Sequence, residues 1–122
     1  MAENIGEING VVYVDQTEGL NRLMRNTKLY VKLLNKFKVD FASKLDTLFN
    51  ALEAGNNEEA RVLAHTLKGT AANLSLTELY KQSLELESQI NNKAVNPESL
   101  KSIKTCFDTT FTAIDMVVIQ YD

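Results

Sequence analysis

Between Thr27 and Gly55 the apolar positions Tyr30, Leu33, Leu34, Phe37, Phe41, Leu45, Leu48, Phe49 and Leu52 return at threes and fours, the signature of one helical face. A helix of about 28 residues is long for a small domain, and a break or kink is expected near residues 40–43. Three further stripes follow. Ala60, Leu63, Ala64, Leu67, Ala71 and Leu74 form the first, and Leu76, Leu79, Tyr80, Ser83, Leu86 and Ile90 the second. Leu100, Ile103, Phe107, Thr110, Ile114, Val117 and Tyr121 form the third. The punctuation agrees with this division. Gly55-Asn56-Asn57 reads as a helix stop followed by an N-cap, with Glu58 and Glu59 favourably placed in the next first turn. Ser75 and Glu78 form a Ser-x-x-Glu capping box, so a new helix is expected almost at once, ending near residues 91–92. Asn96-Pro97 supplies an N-cap and a proline at the first helical position of the last helix.

Upstream, a short helix is expected to begin after Asp15 or Thr17, to turn Leu20, Leu23 and Met24 inward, and to stop near Asn26. Val11-Val12-Tyr13-Val14 has strand propensity but no obvious partner strand, and residues 1–14 read as an extended arm on the bundle. The expectation is an all-α chain: an antiparallel four-helix bundle with a short extra N-terminal helix and an extended arm. It forms a single domain over 1–122, arm at 1–14 and bundle at 15–122.

Composition narrows the function more than the fold. The chain of 122 residues is 44% hydrophobic and 24% charged, as expected for a soluble globular domain with one core. No run approaches the ~20 apolar residues of a membrane span, and Met1-Ala2-Glu3-Asn4 lacks a signal-peptide pattern, so a cytoplasmic protein without membrane association is expected. The lone Cys106 makes no internal disulfide. A net charge of -3 speaks against general nucleic-acid binding and for protein partners. One histidine and no clustered carboxylates leave no ligand set for a metal-dependent hydrolase, and there is no Gly-rich phosphate loop.

That histidine, His65, lies roughly 140° from the centre of its helix's apolar stripe. Its neighbours three, four and seven positions on are Lys68, Gly69 and Ala72, one cation and two small residues. A glycine inside a helix costs about 1 kcal/mol relative to alanine, and no turn or cap asks for Gly69. The bare surface lets another protein approach the imidazole, and Lys68 would offset the charge of a phosphoryl group. Arg61, Val62, Thr66, Gly69 and Ala72 would form the docking surface around it.

Glu87 falls inside the apolar stripe of its helix, where a charge needs a partner. With a hairpin turn near residues 74 and 75, His65 is level with about Leu84, roughly one turn from Glu87. Side chains lean toward the N-terminus of their own helix, so the imidazole and the carboxylate lean together. Glu87 is expected to accept a hydrogen bond from the Nδ1 proton of His65, fixing the tautomer that leaves Nε2 free to attack phosphorus. Pairing of Glu87 with Lys68 is the plainer alternative.

The run Ala64-His65-Thr66-Leu67-Lys68-Gly69-Thr70-Ala71 resembles the active-site segment of histidine-phosphotransfer domains of multistep two-component phosphorelays, roughly Ala-His-x-Leu-Lys-Gly-x-Ala, at every defined position. Asp15 through Leu23 with Tyr30, Leu34 and Phe37 is similar to the family's opening helices, and Leu86-Glu87 to its Leu-Glu pair. Ser75-Leu76 departs from it, standing where the family commonly has Gly-Ala. The resemblance implies a phosphoryl acceptor at His65, a ring-holding role for Glu87, and receiver domains of response regulators and a hybrid histidine kinase as partners. It implies no cofactor on this chain, with Mg²⁺ held by the receiver, and no independent catalytic turnover. Two alternatives stay open: the phosphoacceptor domain of a chemotaxis-type histidine kinase, and a helical adaptor that carries no phosphate.

Overall fold

A computed structural model describes residues 5–121. Five helices follow a small hairpin: β1 (Glu7–Ile8), β2 (Val11–Val12), α1 (Gln16–Arg22), α2 (Thr27–Glu53), α3 (Asn57–Leu74), α4 (Thr77–Asn91) and α5 (Pro97–Gln120). Each of the four long helices packs on its neighbours in sequence, and α2 closes the ring with α5. The loops between them are short, so successive helices run antiparallel, which is the expected bundle. α1 lies across α2 and α3.

The core follows the stripes. Tyr30, Leu34, Phe37, Leu67, Leu79, Phe107 and Ile114 are almost fully buried, each contributing on the order of 1.5–3 kcal/mol through removal of apolar surface from water. Phe37 stacks on Phe41 at a centroid distance of 4.8 Å and meets Phe111 edge-on at 5.9 Å, tying α2 to α5. α2 runs as one continuous helix over 27 residues, so of the break or kink expected near residues 40–43 a break does not occur. Phe37, Phe41 and Leu48 stay seated on α3 and α5 through that region, and tertiary packing carries a length that an isolated helix would not sustain.

The caps at Asn56 and Asn96 form as expected, each side chain accepting a backbone N–H three residues on. The capping box at Ser75 and Glu78 does not form. Ser75 instead closes α3 in the left-handed region, with φ 58° and ψ 41°, and α4 starts at Thr77 with no side-chain cap. Leu76 N–H bonds back to the Ala71 carbonyl at 2.9 Å, the reversal pattern in which glycine usually stands. A left-handed serine costs roughly 1–2 kcal/mol. Contacts with the N-terminal segment offset it: Ser75 Oγ donates to Glu18 at 2.9 Å, and the Ser75 carbonyl accepts from Asp15 N–H at 2.9 Å.

The N-terminal expectations change most. Val11–Val12 does have a partner, pairing antiparallel with Glu7–Ile8 through a turn at Asn9 and Gly10, both at positive φ. Asn-Gly is the turn that matches strand twist, and the arm therefore holds a hairpin over residues 7–12; residues 1–4 of the expected arm lie outside the described residues. Val14 is fully buried behind the hairpin, and Gly6 lies so close that a Cβ there would stand 2.1 Å from the Val14 carbonyl oxygen. Leu20 points inward as expected, but Met24 does not: it sits at φ 55° and is 92% exposed. α1 ends at Arg22, and the left-handed pair Met24-Arg25 reverses the chain into α2, which throws the Met24 side chain outward.

Candidate functional site

His65 sits midway along α3 on the face turned away from Ala60, Ala64, Leu67 and Ala71, all buried. Its side chain is 65% exposed. The helical phase that buries those alanines and leucines is what pushes the imidazole outward. Across the α3–α4 hairpin, Glu87 Oε2 lies 2.9 Å from His65 Nδ1, while Glu87 Oε1 accepts from Lys68 Nζ at 2.6 Å. Both pairings weighed from the sequence therefore occur together on one carboxylate. Glu87 is only 13% exposed and Lys68 22%, so the two charges face each other at the foot of the ring while the ring itself stays in water.

The electrostatics favour one tautomer. The Glu87 carboxyl is held below the usual carboxylate range, first by the hydrogen bond from Lys68 and further by that from His65, against a desolvation that pushes it up. An ionised carboxylate only accepts, so a neutral ring in this arrangement carries its proton on Nδ1 and has Nε2 as its free nitrogen.

The surrounding surface is low. A Cβ built on Gly69 meets nothing within 4 Å, so no internal packing requires glycine at that position. Val62 is 49% exposed, Thr66 is exposed and Ala72 half-buried, all on the His65 side of α3. Arg61 lies on the same side but is engaged with Glu58, its Nη2 donating at 2.6 Å. The expected docking residues are thus brought together around the ring, with Arg61 turned to an acidic neighbour that the sequence reading did not assign to it. On α4 the expected core stripe holds except at Tyr80, which is 37% exposed because the stripe centres on Leu79, Ser83 and Leu86.

On the other flank a groove separates α3 from α2. Thr66, Thr70 and Asn73 form one wall, and Lys36, Asp40 and Lys44 line the other above Phe37 and Phe41. Hydrophobic periodicity gives no sign of it, since its walls are the polar residues between stripes. Among the described residues no three His, Cys, Asp or Glu side chains gather as a metal site, and no helix is long and apolar enough to cross a membrane.

A family model described as Hpt domain matches residues 32–113, which takes in most of α2, all of α3 and α4, and much of α5. His65, Lys68 and Glu87 lie within the match. No curated protein and no solved structure matches the chain.

Proposed function

Since the chain belongs to the Hpt domain family, whose model covers well over half of it, we propose that it is a phosphorelay intermediate that accepts a phosphoryl group on His65 from a receiver-domain phosphoaspartate and passes it to the aspartate of another receiver. Histidine phosphotransfer is the role that membership carries; the donor, the acceptor and the direction are this reading's own. The observation that carries it is the ring of His65, exposed to solvent and held at Nδ1 by Glu87.

In the forward step the Nε2 lone pair attacks phosphorus and the bond between phosphorus and the aspartyl oxygen breaks, its electron pair leaving with the carboxylate. The Nδ1 proton stays on the ring, and the positive charge that develops there faces the Glu87 carboxylate. The reverse sequence delivers the group to a second aspartate. Phosphoryl transfer has a loose in-line transition state, so the demands on this chain are position and access. Glu87 sets the orientation and Gly69 and Ala72 leave the approach clear. Lys68 holds Glu87 in the resting state and, one turn along α3 from His65, would meet phosphoryl oxygens once they arrive. Mg²⁺ belongs to the receiver in this reading, and the chain turns over no substrate alone.

Incubation with phosphorylated receiver domains tests the assignment. Wild type acquires acid-labile, base-stable label and His65→Gln acquires none; equal labelling of the two rejects His65. Labelling from ATP through a separate kinase domain, with none from any receiver, would favour the phosphoacceptor of a chemotaxis-type kinase instead.

A further inference from the structure

Charge is unevenly distributed in this acidic protein. Seven of its thirteen cations and one of its sixteen acids lie between Arg22 and Lys44, so a stretch of strongly positive character is set in a remainder that is strongly negative. The stretch covers the end of α1 and the first two-thirds of α2. Lys38 is paired with Asp115 toward α5, and Lys36 is paired with Asp40 at 2.8 Å. Lys28, Lys32 and Lys44 are exposed and have no ion-pair partner among the described residues. Lys44 lies over the Phe41 ring, its Nζ 4.9 Å from the centroid, which holds the ammonium at the lip of the α2–α3 groove. The opposite wall of that groove begins at Thr66, the residue after His65.

We propose that this basic face of α2, with Lys36 and Lys44 at the groove and Lys32 behind them, is the second half of the docking surface, and that it selects receivers by an acidic patch beside their phosphorylated aspartate. The inference rests on the function proposed above and adds the partner's chemistry and the residues that read it. The two flanks of His65 differ in a way that supports it. On the α4 side Lys68 is neutralised by Glu87 and Arg61 by Glu58, whereas on the α2 side Asp40 and Asp115 pair with Lys36 and Lys38 and leave Lys28, Lys32 and Lys44 unmatched among the described residues. Unpaired exposed cations raise the encounter rate with an oppositely charged partner by roughly 10- to 1000-fold, an effect that fades with salt. A compact acidic patch suits the face better than an extended polyanion. Screening confines the attraction to about 8 Å at physiological ionic strength, and a nucleic-acid duplex or an anionic bilayer would also meet the acidic remainder of the surface.

The test uses the full chain and the double substitution Lys36→Glu, Lys44→Glu, with Lys32→Glu as an independent variant should the first fold poorly. Each is compared with wild type in two reactions: transfer from phosphorylated receiver domains encoded in the same genome, over a range of salt, and direct phosphorylation of His65 by phosphoramidate. Transfer kcat/KM from the preferred receiver is expected to fall at least about tenfold at low salt and to lose most of its salt dependence. Phosphoramidate labelling should stay within about twofold of wild type, because that small donor needs no docking face. Unchanged receiver transfer with an unchanged salt slope overturns the inference while leaving the phosphoacceptor assignment intact. Loss of binding to duplex DNA or to phosphatidylglycerol vesicles, with receiver transfer unaffected, overturns it in favour of a polyanion. Failure of phosphoramidate to label wild-type His65 removes the phosphoacceptor assignment and this inference with it.

Discussion

Glu87 Oε2 stands 2.9 Å from His65 Nδ1, joining the middle of α3 to the far half of α4 across the tightest turn in the bundle. The other oxygen of the same carboxylate is held by Lys68 at 2.6 Å. One carboxylate therefore contacts both the imidazole and the ammonium.

Removing that carboxylate should loosen the ring without unfolding the bundle. Glu87→Ala is expected to slow receiver transfer roughly tenfold, the equivalent of a hydrogen bond worth about 1.4 kcal/mol, while Glu87→Gln, whose amide oxygen still accepts from Nδ1, falls between. Stability should drop by only about 1 kcal/mol, because the long Lys68 side chain can carry its ammonium into water once its partner is gone. Single-turnover rates and the ring tautomer read by nitrogen NMR check this; an Nδ1-protonated ring in the alanine variant as fully populated as in wild type refutes it.

The same carboxyl sets a pH window. Its folded pKa lies below the ordinary 4.5, mainly through Lys68, so the stabilisation it provides is complete above 4.5 and disappears as pH falls through the lower folded value. The ring orientation at His65 should persist at pH 5 and be lost only under stronger acid, measured by the His65 ring chemical shifts.

Gly69 separates stability from function. Since a Cβ meets nothing there, Gly69→Ala should raise stability by up to about 1 kcal/mol through helix propensity, a gain of several degrees in Tm. Gly69→Gln should also fold normally yet slow transfer by about tenfold or more by crowding the approach to Nε2. Thermal melts and transfer rates on both variants check the pair of outcomes, and unimpaired transfer by the glutamine variant shows that access is not the reason for the glycine.

Gly19 is required for the opposite reason. A Cβ there would lie 2.5 Å from the Tyr30 ring, and Tyr30 is fully buried with its hydroxyl donating to the Leu74 carbonyl at 2.9 Å. Gly19→Ala is expected to destabilise the fold by roughly 1–3 kcal/mol, because neither α1 nor the ring has room to yield. A urea midpoint equal to wild type would contradict this.

Alkali should weaken the protein before any main-chain chemistry begins. Burial pushes the Cys106 thiol up from 9.0 to about 11 and raises Tyr30 above its ordinary 10.0. Both groups fold in the neutral form, so their contribution is whole below pH 9 and declines as pH rises through the folded values. Urea midpoints should therefore fall between pH 9 and 11, and Cys106 should resist thiol reagents at pH 8 until the chain is unfolded.

Periodicity was enough to place α2 to α5, because each long helix must bury one stripe and the stripe shows directly in residues such as Leu34, Leu67, Leu86 and Ile103. The same arithmetic put His65 outside and Glu87 within reach of it. Local signals were less decisive where two readings competed. Ser75 and Glu78 satisfy a capping pattern, yet the close α3–α4 turn forces Ser75 into a left-handed conformation supported by Glu18 and Asp15. Asn9-Gly10 carried the hairpin signal, which outweighed the apparent lack of a partner for Val11–Val12.

The order of residues alone determined four amphipathic helices, their caps at Asn56 and Asn96, and a solitary imidazole on a polar face, since these depend on spacing along one chain. Only the tertiary structure decided that a single carboxylate serves both His65 and Lys68, that Gly69 answers to no internal contact while Gly19 answers to Tyr30, and that cations of α2 border the groove beside the ring. Those are distances between segments remote in sequence, and they come into being only when the stripes are buried against one another.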